Sequence, residues 1–216
     1  MSEFWDNMFR KIGTLWSFEP ADSALQASDL FVSEKIGNVL LPGIGFGRNA
    51  KPFVEKGMDV TGIEISETAI GLARENGLQI PIHHGSVAEM PFDDSVYDGI
   101  YCYALIHLLN QNERRQFLKS CHNQLRDGGL MVFVTVSKAS TKLVESGKPV
   151  SKDRFRIQNG LNVFFYDPET IVKEFGRFGL VGYTEIEEPV KHMPNAEPMK
   201  FWMVVCRKSS VSRIMR

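Results

Sequence analysis

Three glycines in five positions, Gly43, Gly45 and Gly47, follow the apolar run "NVLLP" and precede an abruptly polar "RNA". Residues without a side chain let a backbone pass close to a ligand. Their N–H groups, together with a following helix N-terminus, favour an anionic group such as a carboxylate. The dinucleotide fingerprint G-x-G-x-x-G would need glycine at position 48, where this chain has Arg48, so a pyrophosphate is disfavoured. Glu64, followed by Ile65, closes the next apolar run about twenty residues beyond the first glycine, where an acid can accept both hydroxyls of a ribose. An adenosine that carries a carboxylate in place of phosphates meets both conditions.

Candidates for proton transfer are few. His107 lies in "ALIHLL", where an imidazole could take a proton from an attacking oxygen or nitrogen, or could simply be a hydrogen-bonded core residue. Tyr103 and Tyr166 compete with it. The run "FFYD", residues 164–167, puts aromatic rings either over a substrate or into the core. His83 and His84 are neighbours in a strand-like run and point to opposite faces, which makes them structural. No His, Cys, Asp or Glu group has the close spacing of a zinc site, so no metal is expected. Trp5, Trp16 and Phe18 precede the first strand, either as rings that attract a cation or as anchors for an added helix.

The elements that position these residues follow from periodicity. "NVLLP", "DVTGIE", "QIPIHHG", "YDGIYCYA" and "GLMVFVTV" read as strands, the last apolar enough to be buried on both faces. Between them, "GRNAKPFVEKG", "ETAIGLAREN" after the cap Ser66, and "NERRQFLKSCHNQL" carry helical spacing. Such alternation predicts an α/β fold, a doubly wound, mostly parallel sheet. After a polar stretch, "STKLVESGKPVSKDRF", Asp167 and Pro168 start a helix. "LVGYTEIEE" and "KFWMVVCRK" then follow with no helix between them, which predicts an antiparallel hairpin at the sheet edge. The basic end "RKSSVSRIMR" has no core pattern and reads as a frayed tail.

The 216 residues are 43% hydrophobic, enough to bury a full core, and carry a formal charge of −1 with no long run of either sign. Nucleic acid is therefore not an expected partner. Cys102, Cys121 and Cys206 form no C-x-x-C and suit a reducing, cytoplasmic setting. No segment reads as an export signal or a membrane span.

In order and spacing, "VLLPGIGFGRNA", "VTGIEIS", "GSVAEMPFDDSVYDGIYCYALIHLL" and "LRDGGLMVFV" resemble the successive motifs of class I S-adenosylmethionine-dependent methyltransferases. The small tellurite-resistance and thiopurine methyltransferase types are the most similar. The resemblance implies a Rossmann-like seven-stranded sheet over residues 36–207, a helical lid over 1–35 and a basic tail over 208–216. It further implies S-adenosylmethionine as cofactor and methyl transfer to a small-molecule acceptor, by a monomer or homodimer. Carried over by residue, Gly43, Ile44, Gly45 and Gly47 line the methionine part, and Glu64 with Ile65 holds the ribose. Gly85, Ser86 and Val87 border the adenine. Cys102 and Tyr103 flank the sulfonium under an aromatic lid that includes Trp16, and His107 or Tyr103 is the candidate base. Two positions depart from the pattern: Pro42 stands where an acid is usual, and Ser86 where an aspartate is common. The alternative is a module that binds the cofactor without turnover, because fold and pocket do not guarantee chemistry.

Overall fold

The computed structural model describes residues 2–12, 18–188 and 198–210. Helices α1 (Ser2–Ile12) and α2 (Asp22–Ser33) precede a run of alternating elements. These are β1 (Asn38–Pro42), α3 (Lys51–Glu55), β2 (Asp59–Glu64), α4 (Glu67–Glu75), β3 (Ile82–His84), β4 (Tyr97–Tyr103), α5 (Gln111–Gln124) and β5 (Leu125–Val136). Then come α6 (Thr141–Glu145), β6 (Lys148–Ser151), β7 (Arg154–Arg156), β8 (Asn162–Phe164), α7 (Pro168–Phe175), β9 (Leu180–Glu188) and β10 (Met199–Arg207).

The main sheet has seven strands in the order β3-β2-β1-β4-β5-β10-β9. Pairings among β1 to β5 are parallel, while β10 runs antiparallel to both β5 and β9. Successive strand residues point to opposite faces. Leu40, Cys102 and Phe133 accordingly pack with Phe117 of α5 and Phe175 of α7. Their neighbours Leu41, Tyr101 and Val132 pack with Phe31 of α2 and Phe53 of α3. Apolar residues on both faces are what a parallel sheet wrapped by helices requires, and the Rossmann-like doubly wound architecture with its edge hairpin is as the sequence suggests. Among the described residues, no helix is long and apolar enough to cross a membrane.

Helix starts follow local chemistry. The Ser66 hydroxyl accepts the Ala69 N–H, Asn110 and Glu113 form a reciprocal capping box, and Asp167 with Pro168 opens α7. Each satisfies backbone donors that a helix start leaves unpaired.

Two features differ from the sequence reading, and a third decides between alternatives it left open. The helix after the glycine loop is short, since only Lys51–Glu55 is α-helical. The polar stretch after β5 contains α6 and leads into a separate antiparallel sheet of order β6-β7-β8, whose first strand is exposed throughout and therefore shows no apolar alternation. The "FFYD" rings belong to the core. Phe165 and Tyr166 are fully buried, and the Tyr166 hydroxyl donates to Glu174 at 2.8 Å. Where the basic tail begins, the Lys208 amide donates to Gly129 and its ammonium to the His122 and Leu125 carbonyls; residues 211–216 lie outside the described residues.

Candidate cofactor and active site

Because β1, β2 and β4 run parallel, their last residues, Pro42, Glu64 and Tyr103, reach the same edge of the sheet. A cavity of about 280 Å³ opens there, as expected for a crevice beyond the carboxyl ends of parallel strands. The loop after β1 forms one wall through Gly43, Ile44 and Gly45, and Glu64 and Ile65 form the next. Gly85, Ser86 and Val87, after β3, close a third side.

Glu64 is a buried residue and fixes the loop geometry. Its Oε2 accepts the Gly45 N–H at 2.8 Å, and its Oε1 accepts the Ile65 and Ser66 N–H groups, each at 2.9 Å. Burial raises its pKa above the ordinary carboxylate value, against the opposing pull of those three amides. A carboxylate offers about four acceptor positions, so three amides leave one for a ligand hydroxyl.

The amides of the three loop glycines and of Ile44 are engaged inside the fold, which corrects the expectation that the glycine N–H groups are free for an anion. Gly43 and Ile44 both donate to the Ile63 carbonyl, Gly45 to Glu64, and Gly47 to the Ile44 carbonyl. The cation at the cavity is instead Arg48, whose guanidinium sits 5.5 Å over the Tyr103 ring and donates to the Glu19 carbonyl.

Gly45 suits close approach by a ligand. Its φ is +58°, and a Cβ built there would meet only the Phe9 ring, at 3.7 Å. Gly47 has a different duty. Its φ is +85° and an added Cβ would lie 2.4 Å from Leu78, so it permits packing behind the loop and does not line the cavity. The Ser86 hydroxyl accepts the Ala88 N–H and starts a single 3-10 turn, so it is engaged locally.

Tyr103 lines the cavity, with Phe201 stacked on it at 6.1 Å between centroids. Burial, then the nearby Glu188 carboxylate, raises its phenol well above the usual range. It is a donor at neutral pH, not a base. Cys102 is corrected outright: strand alternation turns it away from Tyr103 into the core beside Cys121, and burial pushes its thiol up.

His107 also departs from its expected role, because it lies behind the cavity wall. Its Nδ1 accepts the Val136 N–H at 3.3 Å and lies 3.2 Å from the Thr135 hydroxyl, while burial lowers its pKa to about 3. A nitrogen already engaged, on a ring that resists protonation, makes no general base. His83 pairs with Asp93 at 2.8 Å and His84 with the Ile65 carbonyl at 3.2 Å, in separate settings. Trp16 lies outside the described residues.

From α1, Trp5 and Phe9 reach the cavity. This helix is clasped to α4 by Asp6, whose carboxylate accepts the Ser66 hydroxyl at 2.7 Å and the Thr68 N–H at 3.1 Å. Glu188 and Phe201 also line the cavity and were not singled out from sequence. For Glu188 a signal exists: in "TEIEE" it falls two residues after Ile186, which packs against the core, so alternation puts an acid where an apolar side chain is expected.

Residues 39–129 match the methyltransferase domain family. This stretch is a methyltransferase domain. S-adenosylmethionine is the cofactor of that family, and the open Gly45 backbone and the spare Glu64 acceptor suit a nucleoside ligand. An uncharacterized methyltransferase of Anoxybacillus flavithermus is 30% identical over 116 residues, 53% of this chain and 55% of that protein. The chain thus spans about half the length of that relative. Two solved structures share the fold. TehB from Haemophilus influenzae has a TM-score of 0.65 at 19% identity, covering 95% of this chain and 67% of that one. A 1,6-didemethyltoxoflavin-N1-methyltransferase of Burkholderia thailandensis, with bound 1,6-didemethyltoxoflavin and S-adenosylhomocysteine, has a TM-score of 0.65 at 17% identity, covering 88% and 80%.

Proposed function

We propose that the chain transfers the methyl group of S-adenosylmethionine to a small-molecule acceptor, by in-line displacement in the cavity at the strand ends. The observation that carries this reading is the convergence of the glycine loop, Glu64 and the Gly85–Val87 segment on one cavity. In it, Glu64 gives its remaining acceptor position to a sugar hydroxyl. Gly43, Ile44 and Gly45 border the methionine part, Gly85, Ser86 and Val87 the adenine, and Tyr103 the sulfonium. Arg48 takes the carboxylate, since the amides of Gly43, Ile44, Gly45 and Gly47 are already engaged. Helix α1 acts as a lid, with Trp5 and Phe9 excluding water.

When bound, the cofactor supplies a methyl group on a sulfonium sulfur that departs as a neutral thioether, so the leaving group needs no activation by the protein. The work left to the residues is alignment, which in favourable cases accounts for about 7–11 kcal/mol of barrier lowering. Neither His107 nor Tyr103 takes a proton at neutral pH, so the attacking atom brings its own lone pair, as a thiolate or an unprotonated nitrogen does. The heterocycle bound to the Burkholderia enzyme supports a small acceptor. The burial of Cys102, Cys121 and Cys206 as free thiols supports a reducing, cytoplasmic setting.

The test is calorimetric titration of the full chain with S-adenosylhomocysteine and with nicotinamide dinucleotides, followed by a metabolite-library screen read as S-adenosylhomocysteine release. Binding of the first ligand alone, with turnover of at least one small acceptor, is the expected result. Binding without any turnover returns the chain to a non-catalytic module, and no binding rejects the cavity assignment.

A further inference from the structure

The cavity holds two buried carboxylates, and the reaction as proposed uses only Glu64. The other, Glu188, is the last residue of β9. Since β9 and β5 both run antiparallel to β10, β9 is parallel to the central strands and delivers Glu188 to the same edge as Glu64. Glu188 is 1% exposed and lines the cavity. Its Oε1 accepts the Ser23 N–H at 2.6 Å, in the first turn of α2. Its Oε2 has no hydrogen-bond partner among the described residues.

An empty oxygen on a buried carboxylate calls for an explanation, because buried polar atoms are nearly always paired and an unpaired one is costly. The N-terminus of α2 supports the negative charge but fills only one oxygen. Arg48 is turned elsewhere, over the Tyr103 ring and toward the Glu19 carbonyl. The Tyr103 phenol lies close enough to the Glu188 carboxylate to be held protonated by it, Phe201 is stacked on the Tyr103 ring, and Met199 is the register partner of Glu188.

Resting on the reading of this cavity as a methyl-transfer site, we propose that Glu188 Oε2 receives an N–H of a protonated amine carried by the acceptor, so that the acceptor is a small apolar or aromatic amine. A charged donor is favoured over a neutral one because opposite charges brought together away from bulk water gain a Coulombic attraction that a neutral donor lacks. A protonated nitrogen has no lone pair to give, so the methylated atom is a different atom of the same molecule. Glu188 then sets specificity and orientation, and touches no bond that breaks.

The test uses the full chain saturated with S-adenosylhomocysteine and four matched probes: 2-phenylethylamine, its N,N,N-trimethyl derivative, 2-phenylethanol and phenylacetate, with binding followed by ligand-observed NMR titration. The expected result is that the amine binds roughly tenfold tighter than the alcohol, with the trimethyl probe weaker than the amine and phenylacetate weakest. In Glu188→Gln, whose side-chain oxygen can still accept from Ser23, the amine-to-alcohol ratio falls to about one while S-adenosylhomocysteine affinity is unchanged. Equal binding of amine and alcohol overturns the proposal, as does equal binding of amine and trimethyl probe, absence of binding by all four, or a preference that survives in the variant. A variant that loses cofactor affinity instead assigns Glu188 to the cofactor's own ammonium, which also overturns it. The wild-type ratios stand if the variant does not fold. If S-adenosylhomocysteine does not bind the wild type, the cofactor reading fails separately, and the same ratios on the free chain still decide the role of Glu188.

Discussion

Glu64 Oε2 accepts the Gly45 amide at 2.8 Å, so the acid at the end of β2 holds the shape of the loop at the end of β1. Glu64→Gln is therefore not a conservative change. One acceptor oxygen becomes an NH2 that must face either the Gly45 amide or the Ile65 and Ser66 amides. Leaving a buried donor unpaired costs about 1–3 kcal/mol, and in a chain of this size each kcal/mol lowers Tm by about 2–4 °C. The expected outcome is a lower Tm in thermal denaturation and at least roughly tenfold weaker S-adenosylhomocysteine binding, the latter corresponding to about 1.4 kcal/mol. Wild-type values for both would remove Glu64 from the site.

The same carboxyl gives a pH signature. Burial raises its folded-state pKa above 4.5, so its contribution to apo stability is fully present below the unfolded value and is lost as pH rises through the folded one. Ligand affinity moves the opposite way, since an acceptor is wanted, and it falls as pH drops through that window. Calorimetry from pH 7 down to 4.5 checks this; a profile that is flat, or unchanged in Glu64→Gln, is the contrary result.

Gly43 and Gly57 make a controlled pair. Both have positive φ, +69° and +78°, but a Cβ at Gly43 would lie 2.8 Å from Leu105 Cδ2, whereas at Gly57 it meets nothing within 4 Å. Gly57→Ala is expected to cost only the left-handed backbone strain, about 1–2 kcal/mol, with cofactor affinity intact. Gly43→Ala adds the clash and pushes Leu105 toward the cavity, so affinity falls as well. Equal affinities in the two variants would show that the loop does not shape the pocket.

His107 is expected to be a stability residue. Its folded pKa is lowered to about 3 from 6.5, so the unfolded chain binds more protons between those values. Its contribution is present above 6.5 and is lost as pH falls toward 3. His107→Gln should flatten part of the acid limb of the stability curve and leave turnover with the identified acceptor nearly unchanged. A large fall in kcat with stability preserved would restore its catalytic role.

Arg114 is nearly fully buried and is held bidentately by Glu174, Nε to Oε2 at 3.0 Å and Nη2 to Oε1 at 2.7 Å, with its guanidinium over the Phe164 ring. Removing one partner of such a pair strands a buried charge. Glu174→Ala is expected to destabilise the fold by about 3–5 kcal/mol in urea denaturation, and a loss below about 1 kcal/mol would mean the pair is screened like a surface one.

Much of this was legible in the chain, for reasons that are local. Strands buried on both faces, such as β5, announce themselves as apolar runs, and Ser66 and Asp167 mark helix starts by side-chain chemistry. The glycine loop and Glu64 were visible because backbone conformation and strand-end position select residue types. The amides' destinations were not, since nothing in "PGIGFG" tells that Gly43 and Ile44 both donate to Ile63. Cys102 and His107 were misjudged for a related reason: proximity in sequence to Tyr103 does not fix which face a side chain takes. Alternation puts Glu188 at an inward position, but its meaning depends on α2, 165 residues away in sequence, and the β6–β8 sheet was hidden because its outer strand has no buried face to pattern.

Asp6 joins the first helix to Ser66 and Thr68, and the Ser66 amide is itself one of the three that orient Glu64. The N-terminal arm and the acid at the end of β2 thus share a single residue as a hinge pin. With the cofactor bound as proposed, filling the crevice and seating the arm become one coupled equilibrium, and amide exchange in residues 2–12 is expected to gauge it.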